Sequence, residues 1–310
     1  MSPPWHADPW ARLQARHTRG ALPHALLFCG PAGLGKRGFV RRFARGLLCE
    51  RPVDGAACGS CRTCRLLDAG THPDLIEIGF ALRKDGTPRT EIIVDQIREL
   101  SARLAMSSQF GGWKVTVIDP ADAMNTAAAN ALLKTLEEPA AQTLLMLLAD
   151  APWRLPQTIR SRCQRVEFAL PPRAQALAWL EAQGVTGAAA ALDAALGNPG
   201  LAQAWSQSGA LERRTGVRRD LAALASGRGE VAGVAAAWLA DEPAQRLWFA
   251  AQAAADERRA RAAQARPALG SVLADEALAQ WYAAANRTRD RLRTTLRADL
   301  MLLELLVQWR

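Results

Sequence analysis

Through the first half of the chain, short apolar runs alternate with longer stretches in which apolar and polar positions recur at helical spacing. Ala25–Cys29 (ALLFC), bounded by Pro23 and Gly30, reads as a strand, as do Leu75–Ile78, Lys114–Ile118 (KVTVI) and Leu144–Leu148 (LLMLL). Runs with so few polar positions belong to strands covered on both faces, whereas a half-exposed strand would alternate. Between them, Phe39–Leu48, Val94–Ala105 and Thr126–Glu138 carry the pattern of amphipathic helices. Strands spaced by helices predict right-handed βαβ units and a parallel sheet with helices on both sides.

After Phe168 the pattern changes. Pro171 and Pro172 suit the first turn of a helix, and from there to Arg310 Ala, Leu and Trp recur at helical spacing with no strand. Breaks at Gly197–Gly200 and Ser206–Gly209 divide this half into a small helical piece and a larger one. Leu292, Leu296, Leu300, Leu303 and Val307 predict one core-facing or partner-facing stripe on a last helix. Trp179, Trp205, Trp238, Trp248, Trp281 and Trp309 are expected as core and interface filler.

Composition narrows the class. With 310 residues, 49% apolar and 22% charged, the chain can bury a core, which excludes disorder as its main state. The start, MSPPWHADPW, lacks the basic head and apolar run of a signal peptide. The greasiest windows, Leu144–Ala149 and Leu300–Val307, are far shorter than the roughly 20 residues a bilayer span needs. A cytoplasmic chain without membrane contact is expected. The formal charge is +9, and lysine occurs only at Lys36, Lys84, Lys114 and Lys134, so arginine carries almost all of the basic character. That surplus reads first as genomic base composition; a basic surface is also compatible with nucleic acid.

Candidate chemistry falls at four places. Gly30-Pro-Ala-Gly33-Leu-Gly35-Lys36-Arg37 follows the first strand and opens a helix, matching G-x4-G-K but placing Arg where a P-loop carries Ser or Thr. Its glycines let backbone N–H groups converge on phosphate at a helix N-terminus, and Lys36 reaches the outer phosphates. The guanidinium of Arg37 has no lone pair for Mg²⁺ and repels it. Asp119 ends the KVTVI run where a Mg²⁺-associated carboxylate belongs, but Pro120 follows, where hydrolysing relatives of this broad class keep a glutamate that polarises water. Both changes remove hydrolytic parts. Cys49, Cys58, Cys61 and Cys64 form a C-x8-C-x2-C-x2-C cluster. A cytosolic setting argues against disulfides, and two CxxC steps let four thiolates close a tetrahedral shell around a structural Zn²⁺. An iron–sulfur cluster is the alternative, and His72 nearby reads as a loop residue. Finally, Ser161-Arg162-Cys163 puts Arg162 at the end of a short helix, where it could serve a neighbouring subunit as an arginine finger or simply be a surface residue.

The P-loop, the cysteine cluster, Thr71-His72-Pro73-Asp74, the run Asn130–Pro139 (NALLKTLEEP) and Ser161-Arg162-Cys163 occur in this order. Together, over residues 20–200, they resemble the clamp-loader AAA+ subunits of bacterial replicases, and the degenerate nucleotide site is most similar to the delta-prime type of that family. The resemblance implies an α/β AAA+ P-loop module with a parallel sheet over residues 1–168, carrying a zinc insert at 49–64. A small helical lid at 169–207 and an all-α collar at 208–310 that oligomerises would follow. It implies assembly with delta and gamma/tau subunits into a ring that opens the beta sliding clamp and loads it on primed DNA. In that scheme the subunit has no catalysis of its own within the polymerase holoenzyme, and Arg162 reaches in trans to ATP held by a gamma/tau neighbour. Gly197-Asn198-Pro199-Gly200 is similar to the sensor-2 region without its Arg, and Leu148-Ala149-Asp150 departs from the usual sensor-1 Thr or Asn. Because Gly30, Gly33, Gly35 and Lys36 persist, ATP or ADP binding without hydrolysis stays open. DNA contacts would be to backbone phosphates, with Lys134 and Arg98 as candidates. The competing readings are an ATP-hydrolysing gamma/tau-type subunit and a P-loop kinase with a zinc knuckle.

Overall fold

Five strands form one parallel sheet in the computed structural model, which describes residues 2–292 and 296–310. They are β1 (Ala25–Cys29), β2 (Leu75–Ile78), β3 (Lys114–Ile118), β4 (Thr143–Ala149) and β5 (Gln164–Glu167), ordered β2-β3-β4-β1-β5. The register sets Leu27 beside Leu147 on one side and Arg165 on the other, and Val117 beside Met146. All pairings are parallel, so each strand must be reached by a crossover.

The period of two along each strand sorts the core into two layers. Leu26, Phe28, Val115, Val117, Leu144 and Met146 pack with Leu13, Phe39, Val40 and Phe43, from helices α1 (Ala7–Thr18) and α2 (Lys36–Leu48). The alternate residues Leu27, Cys29, Ile118, Leu145 and Leu147 pack with Ile97, Leu100, Ala128, Leu132 and Leu136. These come from α4 (Val94–Ala105) and α5 (Thr126–Glu137). The cysteine-rich α3 (Arg62–Asp68) and the single turn α6 (Gln157–Arg160) complete this part. Each Leu or Phe buried here contributes about 1.5–3 kcal/mol of transfer free energy.

Three elements lie outside the sequence-predicted set. The edge strand β5 reads QRVE and is mostly exposed, so it has no apolar signature. Helix α1 buries only Pro9 and Leu13, and Trp10 secures it by edge-on packing with Phe39 and Phe43 at 5.6 and 5.9 Å. Helix α3 is short and starts inside the cysteine cluster.

The chain separates into two compact units, residues 1–179 with 198–201 and residues 180–197 with 202–310. Two helices run across the limits, α7 (Arg173–Ala182) and α9 (Pro199–Ser206), with α8 (Ala188–Ala194) between them. The second unit is helical among its described residues: α10 (Ala210–Ala225), α11 (Val231–Ala240), α12 (Pro243–Ala262), α13 (Asp275–Arg291) and α14 (Ala298–Val307). Trp238, Trp281 and Trp309 are fully buried at its centre. Each indole N–H finds an acceptor, on Asp220 Oδ2, Leu305 O and Leu221 O respectively, as burial of that group demands. Trp205 and Trp248 are half-buried against this core, and Trp179 packs on Trp5 in the first unit.

The expected stripe on the last helix is not one face of one helix. Leu292 caps α13, Leu300 and Val307 are 53% and 61% exposed, and Leu302, Leu305, Leu306 and Trp309 fill the core instead. The stripe positions divide between the end of α13, which closes at Arg291, and α14, which begins at Ala298. Residues 293–295, which the stripe was expected to cross, lie outside the described residues. No helix among the described residues is long and apolar enough to cross a membrane.

Candidate functional site

The C-terminal ends of β1, β3 and β4 gather Gly30, Asp119 and Asp150 along one edge of the sheet, where ligands of open α/β sheets bind. Gly30 turns the chain out of β1 with φ +138° and passes so close to Phe168 that a Cβ would lie 2.1 Å from its carbonyl oxygen. The loop continues through Gly33 to Gly35, the N-cap of α2. Gly33 is covered by the Asn198-Pro199-Gly200 turn. Asn198 Nδ2 donates to Ala32 O at 2.7 Å, and a Cβ on Gly200 would sit 1.8 Å from Gly33 O. Asn198 Oδ1 also accepts the Leu201 N–H, capping α9 with Pro199 at its first position.

Inside the loop the positive groups are already partnered. Lys36 is buried, and its ammonium reaches Gly30 O at 2.6 Å, Pro31 O at 2.7 Å and Asp150 Oδ1 at 2.6 Å. An ammonium has three protons, and here there are three acceptors. Arg37 donates through Nε and Nη2 to the two oxygens of Asp119, at 2.6 and 2.9 Å. This is the bidentate geometry that makes guanidinium–carboxylate pairs strong, and it raises the Arg37 pKa further. Thus the residue standing where a metal-holding hydroxyl belongs occupies the carboxylate that would accompany the metal. The set does not fit Mg²⁺. Beside Asp119, bounded by Arg37, Arg41, Glu77, Gly79 and Leu148, the cavity holds about 120 Å³, below the ~300 Å³ at which ligand pockets begin.

The cysteine cluster is built locally. Cys49 ends α2, Cys61 is the N-cap of α3 and Cys64 lies in its first turn. All four Sγ atoms lie within 4.8 Å of one another, with Cys49–Cys64, Cys49–Cys61 and Cys58–Cys64 at 3.7, 3.8 and 4.0 Å. A tetrahedron with Zn–S bonds of ~2.3 Å has edges of about 3.8 Å, so the four residues fit such an ion and could bind a metal such as zinc. Backbone N–H groups of Arg51 and Cys58 point at Cys49 Sγ, and that of Cys64 points at Cys61 Sγ. Burial pushes the Cys61 thiol up, but hydrogen bonds from Thr63 and Cys64 outweigh it and bring the pKa down to about 5. Burial and its thiol neighbours push Cys64 up to about 12. All six cysteines are free of disulfides.

Arg162 follows α6 and is 37% exposed. Its Nη2 meets Glu137 Oε1 at 2.6 Å, and its Nη1 donates to Thr158 O at 3.0 Å. The neighbouring Cys163 is buried, which raises its thiol to about 12 and leaves it unreactive. His72 is buried in its loop, where Nδ1 accepts the Asp74 N–H. The Asp74 carboxylate in turn accepts the N–H groups of Gln109 and Phe110. Arg98 lies 3.6 Å from Asp95 one turn away, and Lys134 is exposed.

The structure thus joins Lys36, Arg37 and Asp119 through a residue sequence reasoning did not assign, Asp150. It ties Arg162 to another, Glu137. Asp150 carried a signal, since it directly follows an apolar strand adjacent to the loop-bearing one. Glu137 carried none beyond its place in NALLKTLEEP.

A sequence model of the family described as "DNA polymerase III, delta subunit" matches residues 5–172. The DNA polymerase III subunit delta-prime of Pseudomonas aeruginosa is 42% identical over 218 residues, covering 69% of this chain and 64% of that one. The delta-prime subunit of Escherichia coli is 40% identical over 208 residues, covering 66% and 60%. The chain spans less than two thirds of the length of these relatives. The tau subunit of Salmonella typhimurium is 40% identical over 144 residues, covering 46% of this chain and 21% of that one. Among solved structures, a gamma subunit-related protein of Thermotoga maritima aligns over 95% of this chain and 96% of its own, at 16% identity and a TM-score of 0.39. With more than half of its length matched by the family model, the chain belongs to the DNA polymerase III delta subunit family, and its relatives there include delta-prime subunits.

Proposed function

We propose that this chain is a non-hydrolysing clamp-loader subunit of the delta-prime type, which supplies Arg162 in trans to ATP bound by a neighbouring gamma/tau-type subunit. The observation that carries the proposal is the closed pairing inside its own phosphate loop. Arg37 occupies Asp119, Lys36 is held by Asp150 and two carbonyls, and Pro120 leaves no base to activate water. A guanidinium in place of the hydroxyl removes the Mg²⁺ ligand, and without metal and base phosphoryl transfer has neither charge neutralisation nor a nucleophile. Arg162, by contrast, is partly exposed at a helix end, where a guanidinium stabilises charge developing on a phosphate.

In this reading, residues 1–168 form the AAA+ module, 169–207 the lid and 208–310 the collar that joins delta and gamma/tau subunits. The ring they build loads a beta sliding clamp on primed DNA through sequence-independent contacts. Cys49, Cys58, Cys61 and Cys64 hold Zn²⁺ as a closed structural centre with no position left for substrate. ATP or ADP occupies the loop only by displacing the internal partners of Lys36.

The persistence of Lys36 and the loop glycines favours the second reading, an ATP-hydrolysing gamma/tau-type subunit. One pair of measurements separates the two. The purified chain is expected to turn over no ATP by itself. In a complex reconstituted with delta and gamma/tau subunits, Arg162→Ala is expected to lower DNA-stimulated ATPase strongly while assembly, followed by sizing, is unchanged. Brisk turnover by the isolated chain, or full ATPase from the Arg162→Ala complex, would overturn the proposal.

A further inference from the structure

We infer that Glu137 is the positioning residue of Arg162. The inference rests on the reading of Arg162 as a trans-acting finger and specifies how the guanidinium is aimed.

A lone arginine on a surface turn samples many rotamers, and each productive encounter with a phosphate must first select one. Here the guanidinium has two partners inside the subunit: Nη2 forms an ion pair with Glu137 Oε1 at 2.6 Å, and an N–H on Nη1 donates to Thr158 O at 3.0 Å. Both acceptors lie on fixed elements. Glu137 is the last residue of α5, whose Leu132 and Leu136 are buried under the sheet. Thr158 lies in α6, anchored by the buried Ile159. The guanidinium is therefore held from inside the subunit at Nη1 and Nη2, and its 37% exposure leaves part of it open to an anion outside the chain. That division suits a planar donor which must present a fixed face to a phosphate.

The placement of the acid supports a role beyond solubility. A carboxylate in the last turn of a helix faces the negative end of the macrodipole and is locally unfavourable. Glu137 sits there and is compensated by a cation from another element rather than by one on its own helix. Its neighbour Glu138, the C-cap, is also exposed and has no side-chain partner among the described residues, which makes it the natural control. A latch, in which the carboxylate competes with the incoming phosphate, is the alternative outcome. Positioning and latching predict opposite signs, so one experiment decides.

The experiment uses the reconstituted complex, with steady-state DNA-stimulated ATPase read as kcat and KM separately. Glu137→Ala is expected to lower kcat by about tenfold, because the reacting geometry is lost. KM is expected to stay unchanged, since ATP is held by the neighbour's own loop. Glu137→Gln keeps an acceptor oxygen at the same reach and is expected to recover most of that loss, while Glu138→Ala stays at the native rate. Adding Glu137→Ala to Arg162→Ala should lower kcat no further than Arg162→Ala alone. A Glu137→Ala complex as fast as the native one, or faster, alongside a slow Arg162→Ala complex, overturns the positioning role and leaves the trans arginine standing. A full-rate Arg162→Ala complex overturns both.

Discussion

Two alanine substitutions in one helix test how the four-cysteine insert is seated. Gly38 and Gly46 both lie in α2. Helix propensity alone predicts that replacing either by Ala stabilises the chain by up to about 1 kcal/mol. At Gly38 nothing lies within 4 Å of the new Cβ, so a gain of roughly 0.5–1 kcal/mol is expected. At Gly46 the Cβ would stand 2.0 Å from Gly55 O and 3.1 Å from Gly55 C. Both are backbone atoms in the loop between Cys49 and Cys58, which is pinned by the Val53–Ala56 bridge. Relief requires a shift of more than 1 Å by helix or loop, and overpacking of this kind costs about 1–3 kcal/mol. The clash is with backbone, so the upper end applies, and after subtracting the propensity gain Gly46→Ala should be about 2 kcal/mol less stable than the native chain. The two variants then differ by about 3 kcal/mol, which for a unit of this size is a separation of about 6–12 °C in melting temperature. Calorimetry in the presence of zinc reads it directly, and a colorimetric chelator should release zinc faster from the Gly46→Ala protein. Equal melting temperatures, or a more stable Gly46→Ala chain, would show that the helix and the insert are not in backbone contact as described.

Three further outcomes are expected. Cys61→Ser should leave freshly purified protein with less than one equivalent of zinc by elemental analysis and a destabilised insert, whereas a full equivalent would exclude Cys61 as a ligand. Arg37→Thr frees Asp119 and restores a hydroxyl, so a fluorescent ATP analogue with Mg²⁺ should bind more tightly than to the native chain while Pro120 still prevents turnover; unchanged binding would mean that the Arg37–Asp119 pair is not what closes the loop. Stability should fall as the pH drops below about 6.5. His6 is buried with Nε2–H on Leu34 O at 2.8 Å, and burial pushes its imidazole, like that of His72, below the ordinary 6.5. The unfolded chain then binds more protons, so this stabilisation is complete above 6.5 and is lost as pH falls towards the native values. His6→Gln should flatten the melting-temperature profile between pH 7.5 and 5, and an unaltered slope would remove His6 from the account.

How far the fold could be read from sequence follows from where each element lies. β1, β3 and β4 are buried on both faces, so nearly every position is apolar and the strands announce themselves. β5 pairs with β1 but sits at the edge with all but Val166 exposed, and QRVE carries no trace of it. The cysteine cluster was legible because its ligands come from one short local stretch whose spacing already encodes the geometry. Glu137 was not, because an acidic residue that pairs with a distant arginine looks in sequence like any solvated acid, and the place of Asp150 after an apolar strand did not say which cation it meets; only the fold brings the partners together. The stripe on the last helix was legible only in part. Periodicity treats the stretch as one helix, whereas Leu292 lies at the end of α13 and Leu300, Leu303 and Val307 lie in α14, with Leu300 and Val307 exposed rather than in the core.

The pairing of Lys36 and Arg37 with Asp150 and Asp119 makes the loop self-neutralising. Each cation already has its counter-charge within the chain, so a phosphate entering here would have to break existing ion pairs and would gain only the difference between the new partners and the old.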